Sequence, residues 1–113
     1  MHEIGLTQEL LARALEQASR RGARRILSVN IRLGAEAGVE ADVVTLAFEL
    51  FQRGTPAEDA QLVIEAIPVV CWCPGCECTF PPADALHVCP RCERPGAVVR
   101  RGREFELVSL EVM

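Results

Sequence analysis

All six cysteines of the chain fall between positions 71 and 92. Four of them make two copies of one motif, Cys73-Pro-Gly-Cys76 and Cys89-Pro-Arg-Cys92, with twelve residues between Cys76 and Cys89. A Cys-Pro-x-Cys turn aims two sulfurs at one point. Two such turns facing each other make a tetrahedral four-sulfur cage that suits Zn²⁺ at Zn–S distances of about 2.3 Å. Four thiolates leave no open coordination position, so the predicted site is structural, and geometry and ligand softness favour zinc over iron. Rubredoxin-like iron knuckles usually carry glycine after the second cysteine; here Glu77 and Glu93 stand there. A thiol–disulfide oxidoreductase carries one Cys-x-x-Cys at the start of a helix, whereas these two lie in proline-rich stretches with no helical pattern after them. Cys71 and Cys78 flank the first motif without the matching spacing and are read as small buried hydrophobes or spare thiols, although either could stand in for a ligand. His87 lies two residues before Cys89; a site of three cysteines and this histidine requires one cysteine to be displaced.

A second candidate lies at Met1-His2-Glu3. Taken as a lone histidine, His2 is a solvated side chain. Its position allows more: the α-amine of Met1, the amide nitrogen of His2 and the imidazole Nδ1 can close a five- and a six-membered chelate ring on one ion. An amide gives up its proton only to a metal that rewards strong in-plane donors, as Cu²⁺ and Ni²⁺ do and Zn²⁺ does not. Glu3 adds a further amide nitrogen or a carboxylate.

The elements that must position these groups are legible as period and punctuation. Residues 3–21 repeat apolar side chains at helical spacing, with Ile4, Leu11, Leu15 and Ala18 beside Leu10 and Ala14, and Gly22 is placed to cap the end. Residues 25–34 alternate as a half-buried strand, with Leu27, Val29, Ile31 and Leu33 on one face. A second helix is predicted over about 40–53 with the stripe Val43, Leu46, Ala47 and Leu50, followed by Gly54 and Pro56. Residues 60–67 read as a strand. Residues 71–96 show neither period and hold five prolines, so that stretch needs a staple to fold. Ala97–Val99 and Glu104–Val112 read as strands around the turn at 101–103, with Val108, Leu110 and Val112 on one face and Phe105 and Leu107 on the other. The long final strand is expected to return to the first sheet. The fold class predicted is α+β: two helices packed on a small β-sheet in the order α-β-α-β…β, with an inserted four-cysteine zinc module. The division expected is 1–69 plus 103–113 as an α+β domain carrying the terminal chelate and 70–102 as a zinc-binding module.

Composition narrows the function. The 113 residues carry a net charge of −4, with twelve arginines and no lysine, which argues against a dedicated nucleic-acid binder. No apolar run approaches the ~20 residues of a membrane span. The start lacks the basic region of a secretory signal, so a reducing cytoplasm is expected, where clustered cysteines point to metal more than to disulfides. With two histidines, one of them in the cysteine loop, no Ser-His-Asp set can be assembled, and no phosphate-binding glycine loop is present. An exposed terminal chelate beside a closed cage describes a carrier, not an enzyme. The rival reading is a zinc-ribbon module contacting nucleic acid or protein through Arg91, Arg94, Arg100, Arg101 and Arg103, but without interleaved aromatics the nucleic-acid form is weak.

The Met-His-Glu start, the α-β-α-β order and Cys73-x₂-Cys76…Cys89-x₂-Cys92 ahead of a C-terminal strand resemble the hydrogenase nickel-incorporation proteins, the HypA/HybF family, over essentially the whole chain. The resemblance implies a small cytoplasmic metallochaperone that delivers Ni²⁺ to the large-subunit precursor of [NiFe] hydrogenase with a HypB-type GTPase, and in some bacteria serves urease. It implies Met1, His2 and Glu3 as nickel donors and Cys73, Cys76, Cys89 and Cys92 as structural zinc ligands, with Glu40 as an acidic neighbour of the nickel end. A monomer or weak homodimer is expected.

Overall fold

In a computed structural model, residues 2–113 are described, and they divide into two compact units. The first holds residues up to Arg32, Val39–Glu65 and Phe105–Met113; the second holds Leu33–Gly38 and Ala66–Glu104. The first unit is built from helices α1 (His2–Arg20) and α2 (Ala41–Phe51) and a three-stranded sheet in the order β2-β1-β6, where β1 is Ile26–Gly34, β2 Gln61–Ile67 and β6 Phe105–Val112. The final strand joins the first sheet, as its length and apolar content suggest. Its core gathers Leu10, Leu11, Ala14 and Ala18 of α1, Val29 and Ile31 of β1, and Val44 and Phe48 of α2. Gly22 ends α1 in the left-handed conformation at φ 69°. Its N–H donates to the Ser19 carbonyl and the Ala23 N–H to the Ala18 carbonyl, the paired bonds of a Schellman cap. The sheet face away from this core is polar, with Arg32 reaching Glu65 at 3.1 Å and Glu106 at 3.6 Å, and Ser28 donating to Glu111 at 2.9 Å.

Three side-chain assignments differ from the periodicity. In α2 the buried residues are Val44, Ala47 and Phe48, while Leu46 and Leu50 are 61% and 56% exposed. That helix is apolar on nearly every side, so period alone offers two adjacent stripes; the one carrying the large Phe48 ring faces inward. Ile4 and Leu27 are also exposed, one in the first turn of α1 and one at the start of β1. In β6 the inward residues are Phe105 and Leu107, then Leu110 and Val112. The alternation slips by one residue between Leu107 and Leu110, so Val108 is exposed instead of sharing a face with Leu110.

The second unit centres on a sheet in the order β4-β3-β5, with β3 at Val70–Cys73, β4 at Cys78–Phe80 and β5 at Val98–Arg101. This corrects two expectations. The stretch 71–96 holds strands, and β5 does not form a hairpin with β6: it pairs antiparallel with β3, Trp72 opposite Val98 and Cys71 opposite Val99. The strands escaped notice because each is only three or four residues long and interrupted by cysteine motifs, too short for a period to appear. Residues 33–38 knit into this unit through backbone bonds: Gly34 N–H to the Glu104 carbonyl at 2.7 Å, Ala35 N–H to Ile67 at 2.9 Å, and Glu36 N–H to Gly102 at 2.6 Å. The two glycines permit that approach. A Cβ on Gly34 would sit 2.1 Å from the Gly102 carbonyl carbon and oxygen, and Gly102 itself has φ 112°. Gly34→Ala is therefore expected to destabilise the protein by about 2–4 kcal/mol, because backbone, not a flexible side chain, must give way. Urea denaturation of the variant checks this; a loss under about 0.5 kcal/mol would show that the segment relaxes freely.

Candidate metal centre

The two Cys-Pro-x-Cys motifs fold into matching knuckles. Cys73 ends β3, and its carbonyl accepts the Glu77 N–H at 2.8 Å; the Cys89 carbonyl accepts the Glu93 N–H at 2.8 Å in the same way. Glu77 and Glu93 take the left-handed conformation at φ 51° and 60°. The position that glycine usually fills after such a knuckle thus keeps its glycine-like backbone here with glutamate in place. The knuckles bring Cys73, Cys76, Cys89 and Cys92 together, with all four Sγ atoms within 4.8 Å of one another and Cys73 and Cys92 sulfurs 3.7 Å apart. A tetrahedral zinc with bonds of about 2.3 Å requires sulfurs about 3.8 Å apart, so the donor set and its spacing fit that ion. The electrostatics agree. The amides of Cys92 and Arg91 pull the Cys89 thiol down to about 6, while burial, then the crowding sulfurs of Cys92, Cys73 and Cys89, push Cys76 up to about 12. Four thiols at this spacing cannot all ionise without a cation among them.

The other candidate ligands near the cluster are placed elsewhere. Cys71 is fully buried on the same face as Cys73, opposite Phe80, and burial pushes its thiol up. Cys78 packs beside the cluster but is not one of the four convergent sulfurs. The His87 ring faces away from it: Nε2 lies 2.8 and 3.1 Å from the two oxygens of Glu36, and Arg103 approaches the same carboxylate at 3.7 Å. Sequence reasoning did not single out the Glu36–His87 pair, which joins residues 51 apart; the only local signal is the Gly34–Gly38 loop that holds Glu36 up to receive it.

At the other end of the chain, His2 opens α1 with its side chain 61% exposed, and its Nδ1 is 3.6 Å from a carboxylate oxygen of Glu3. Met1 lies outside the described residues. Glu40 stands at the N-cap of α2, exposed, with extended backbone and no capping bond from its side chain.

Comparison with known proteins decides the family. A family model described as hydrogenase/urease nickel incorporation, metallochaperone, hypA matches residues 1–112. The chain belongs to the HypA family. Among HypA relatives, the hydrogenase maturation factor HypA of Picosynechococcus is 41% identical over 113 residues, covering 100% of both chains. That of Chloroflexus aurantiacus is 41% identical over 112 residues, covering 98% of each. Among solved structures, the fold is similar to the solution structure of the Ni metallochaperone HypA from Helicobacter pylori, with TM-score 0.71 and 27% identity over 98% of this chain and 97% of that one. A further solution structure of a HypA protein aligns with TM-score 0.75 and 30% identity over 100% of this chain and 97% of that one. HypA proteins are maturation factors that handle nickel as metallochaperones, not enzymes. The four-cysteine group is present in this HypA chain, and among its described residues no helix is long and apolar enough to cross a membrane.

Proposed function

We propose that this HypA-family chain binds Ni²⁺ at its N-terminus through Met1, His2 and Glu3 and delivers it in the cytoplasm to the large-subunit precursor of [NiFe] hydrogenase, with Zn²⁺ held structurally by Cys73, Cys76, Cys89 and Cys92. A HypB-type GTPase is the partner in delivery, and residues 1–69 with 103–113 carry nickel while 70–102 carry zinc. The observation that supports this most is the solvent-facing His2 imidazole beside the Glu3 carboxylate in the first turn of α1, where the His2 amide has no intrahelical acceptor. In a host lacking its own HypA, this chain is expected to restore nickel to the hydrogenase large subunit, measured as radioactive nickel in the purified precursor, and His2→Ala is expected not to. Restoration by His2→Ala would move the cargo site elsewhere.

The arginines of the second unit fit protein docking better than nucleic acid. Arg100 stacks over the Trp72 ring at 4.9 Å, an exposed cation beside an aromatic anchor. Charge reversal at Arg100 and Arg101 is expected to slow association with the GTPase about tenfold at low salt and to flatten its salt dependence, by surface-plasmon kinetics. Unchanged kinetics would leave this face merely solvated.

A further inference from the structure

The four convergent sulfurs leave Cys71 and Cys78 without a task, and Cys78 stands against the cluster. In the antiparallel pair β3–β4, Cys78 is the direct partner of Cys73. Directly opposed residues of such a pair project to the same face with Cα atoms about 4.5–5.5 Å apart, inside the about 4.4–6.8 Å that a disulfide spans. Cys78 is half-buried and packs against the cluster of Cys71, Cys73, Phe80 and Cys89. An open cavity of about 400 Å³ borders the cluster, lined by Cys73, Cys76, Cys92 and Arg94 among others. Small oxidants therefore have a route to Cys73, next to a cation. Cys71 has none, being fully buried opposite Phe80.

We propose that Cys73 and Cys78 form an oxidisable thiol pair, which a peroxide converts to a cross-strand disulfide that withdraws Cys73 from the four-sulfur cluster and releases its metal. The metal release rests on the zinc reading above. The Cys73 thiolate attacks one peroxide oxygen: an S–O bond forms, the O–O bond breaks, and hydroxide leaves, so Cys73 becomes a sulfenic acid. The Cys78 sulfur then attacks the Cys73 sulfur. The S–S bond forms, the S–O bond breaks, and the thiol proton leaves with the hydroxyl as water. Two thiol sulfurs lose two electrons in total, and one peroxide gains them. Cys78 suits the second step because it is outside the cage. The caged sulfurs are held about 3.8 Å apart while the ion is bound, whereas Cys78 is free to close the distance of about 1 Å that separates a cross-strand Cβ pair from disulfide geometry.

The test uses the zinc-loaded full-length chain treated with hydrogen peroxide, with zinc release followed by a coloured chelator and disulfides mapped by mass spectrometry after alkylation. The first disulfide is expected to join Cys73 to Cys78, in step with zinc release. Cys78→Ser is expected to slow release about tenfold, since it removes the resolving thiol, while Cys71→Ser leaves the rate unchanged. Reductant with added zinc is expected to restore the parent. A first disulfide joining Cys73 to Cys76 or Cys92, or Cys78 to Cys89, or equal release from Cys78→Ser, overturns the proposal. If Cys78→Ser does not fold, the disulfide map of the parent decides alone. Zinc content before peroxide reports on the zinc reading by itself, so the two fail separately.

Discussion

Removing zinc from the four-cysteine cluster is expected to unfold residues 70–101 while α1 and α2 persist. The apolar core of the second unit is small: Phe80 with Cys71, Cys73 and Cys89, and half-buried Val69, Ala97 and Val99 packed against them. Burial of one Phe contributes about 2–3 kcal/mol, against apparent binding free energies of about 10–16 kcal/mol for structural zinc in small domains. Without the cation, the same fold must also hold four thiols within 4.8 Å of one another. The first unit keeps its own core of Leu10, Leu11, Ala14, Val29, Ile31, Val44 and Phe48. Cys89→Ala is expected to act as chelation does, because Cys89 is fully buried and carries the amide-stabilised thiolate. Amide hydrogen exchange checks both: protection lost across 71–96 and retained in the helices is the expected result, and protection retained across 71–96 in the zinc-free chain would refute it. The pH dependence follows from the same thiols. Cys89, lowered to about 6, is already a thiolate at neutral pH, whereas Cys76, raised to about 12, keeps its proton. Zinc binding near pH 7 must displace the Cys76 proton, so affinity falls as pH falls, and falls more steeply below about 6 where Cys89 must also lose one.

Cysteine spacing made the cluster legible because a knuckle is a local object: two sulfurs separated by two residues converge whatever surrounds them. Pairing of two knuckles then follows from a shared ion. The position of Cys78 was not legible, since its place beside Cys73 depends on where β4 begins, and three residues carry no period. Nor was the Glu36–His87 contact, which requires the end of β1 and the loop before Cys89 to meet. In the first unit the long elements α1, β1 and β2 stand within one residue of where their patterns place them. The side of α2 that turns inward does not follow from its pattern. Val43, Val44, Leu46, Ala47, Phe48, Leu50 and Phe51 ring that helix, and only packing against α1 selects Val44 and Phe48 over Leu46 and Leu50. The slip in β6 is of the same kind: strict alternation is the prior, and a strand that must present both Phe105 and Leu110 to one core departs from it.

Nickel is expected to bind once per chain at the N-terminus and to lose about a hundredfold or more in affinity in His2→Ala, a variant that leaves zinc content untouched. The expectation rests on the donors that position supplies. The α-amine of Met1 and the amide of His2 close one ring and the exposed imidazole closes the next, with the Glu3 carboxylate 3.6 Å from the ring nitrogen. The imidazole thus presents itself to solvent with an anionic neighbour, which attracts a dication before any bond forms. The amine and the amide must each lose a proton before they coordinate. Affinity is therefore expected to rise with pH by about tenfold per unit for each proton displaced, with matching proton release in calorimetry run in buffers of different ionisation enthalpy. Acetylation of the Met1 α-amine, the one primary amine of a chain without lysine, removes that donor without adding another and should weaken binding as much as His2→Ala does. Divalent affinities should place Ni²⁺ above Co²⁺ and below Cu²⁺. Calorimetry on the untagged chain, the N-acetylated chain and His2→Ala, each preloaded with zinc, tests the terminal chelate directly. If all three take up one nickel with similar affinity, the ion does not sit on the terminal chelate, and the assignment of His2 fails.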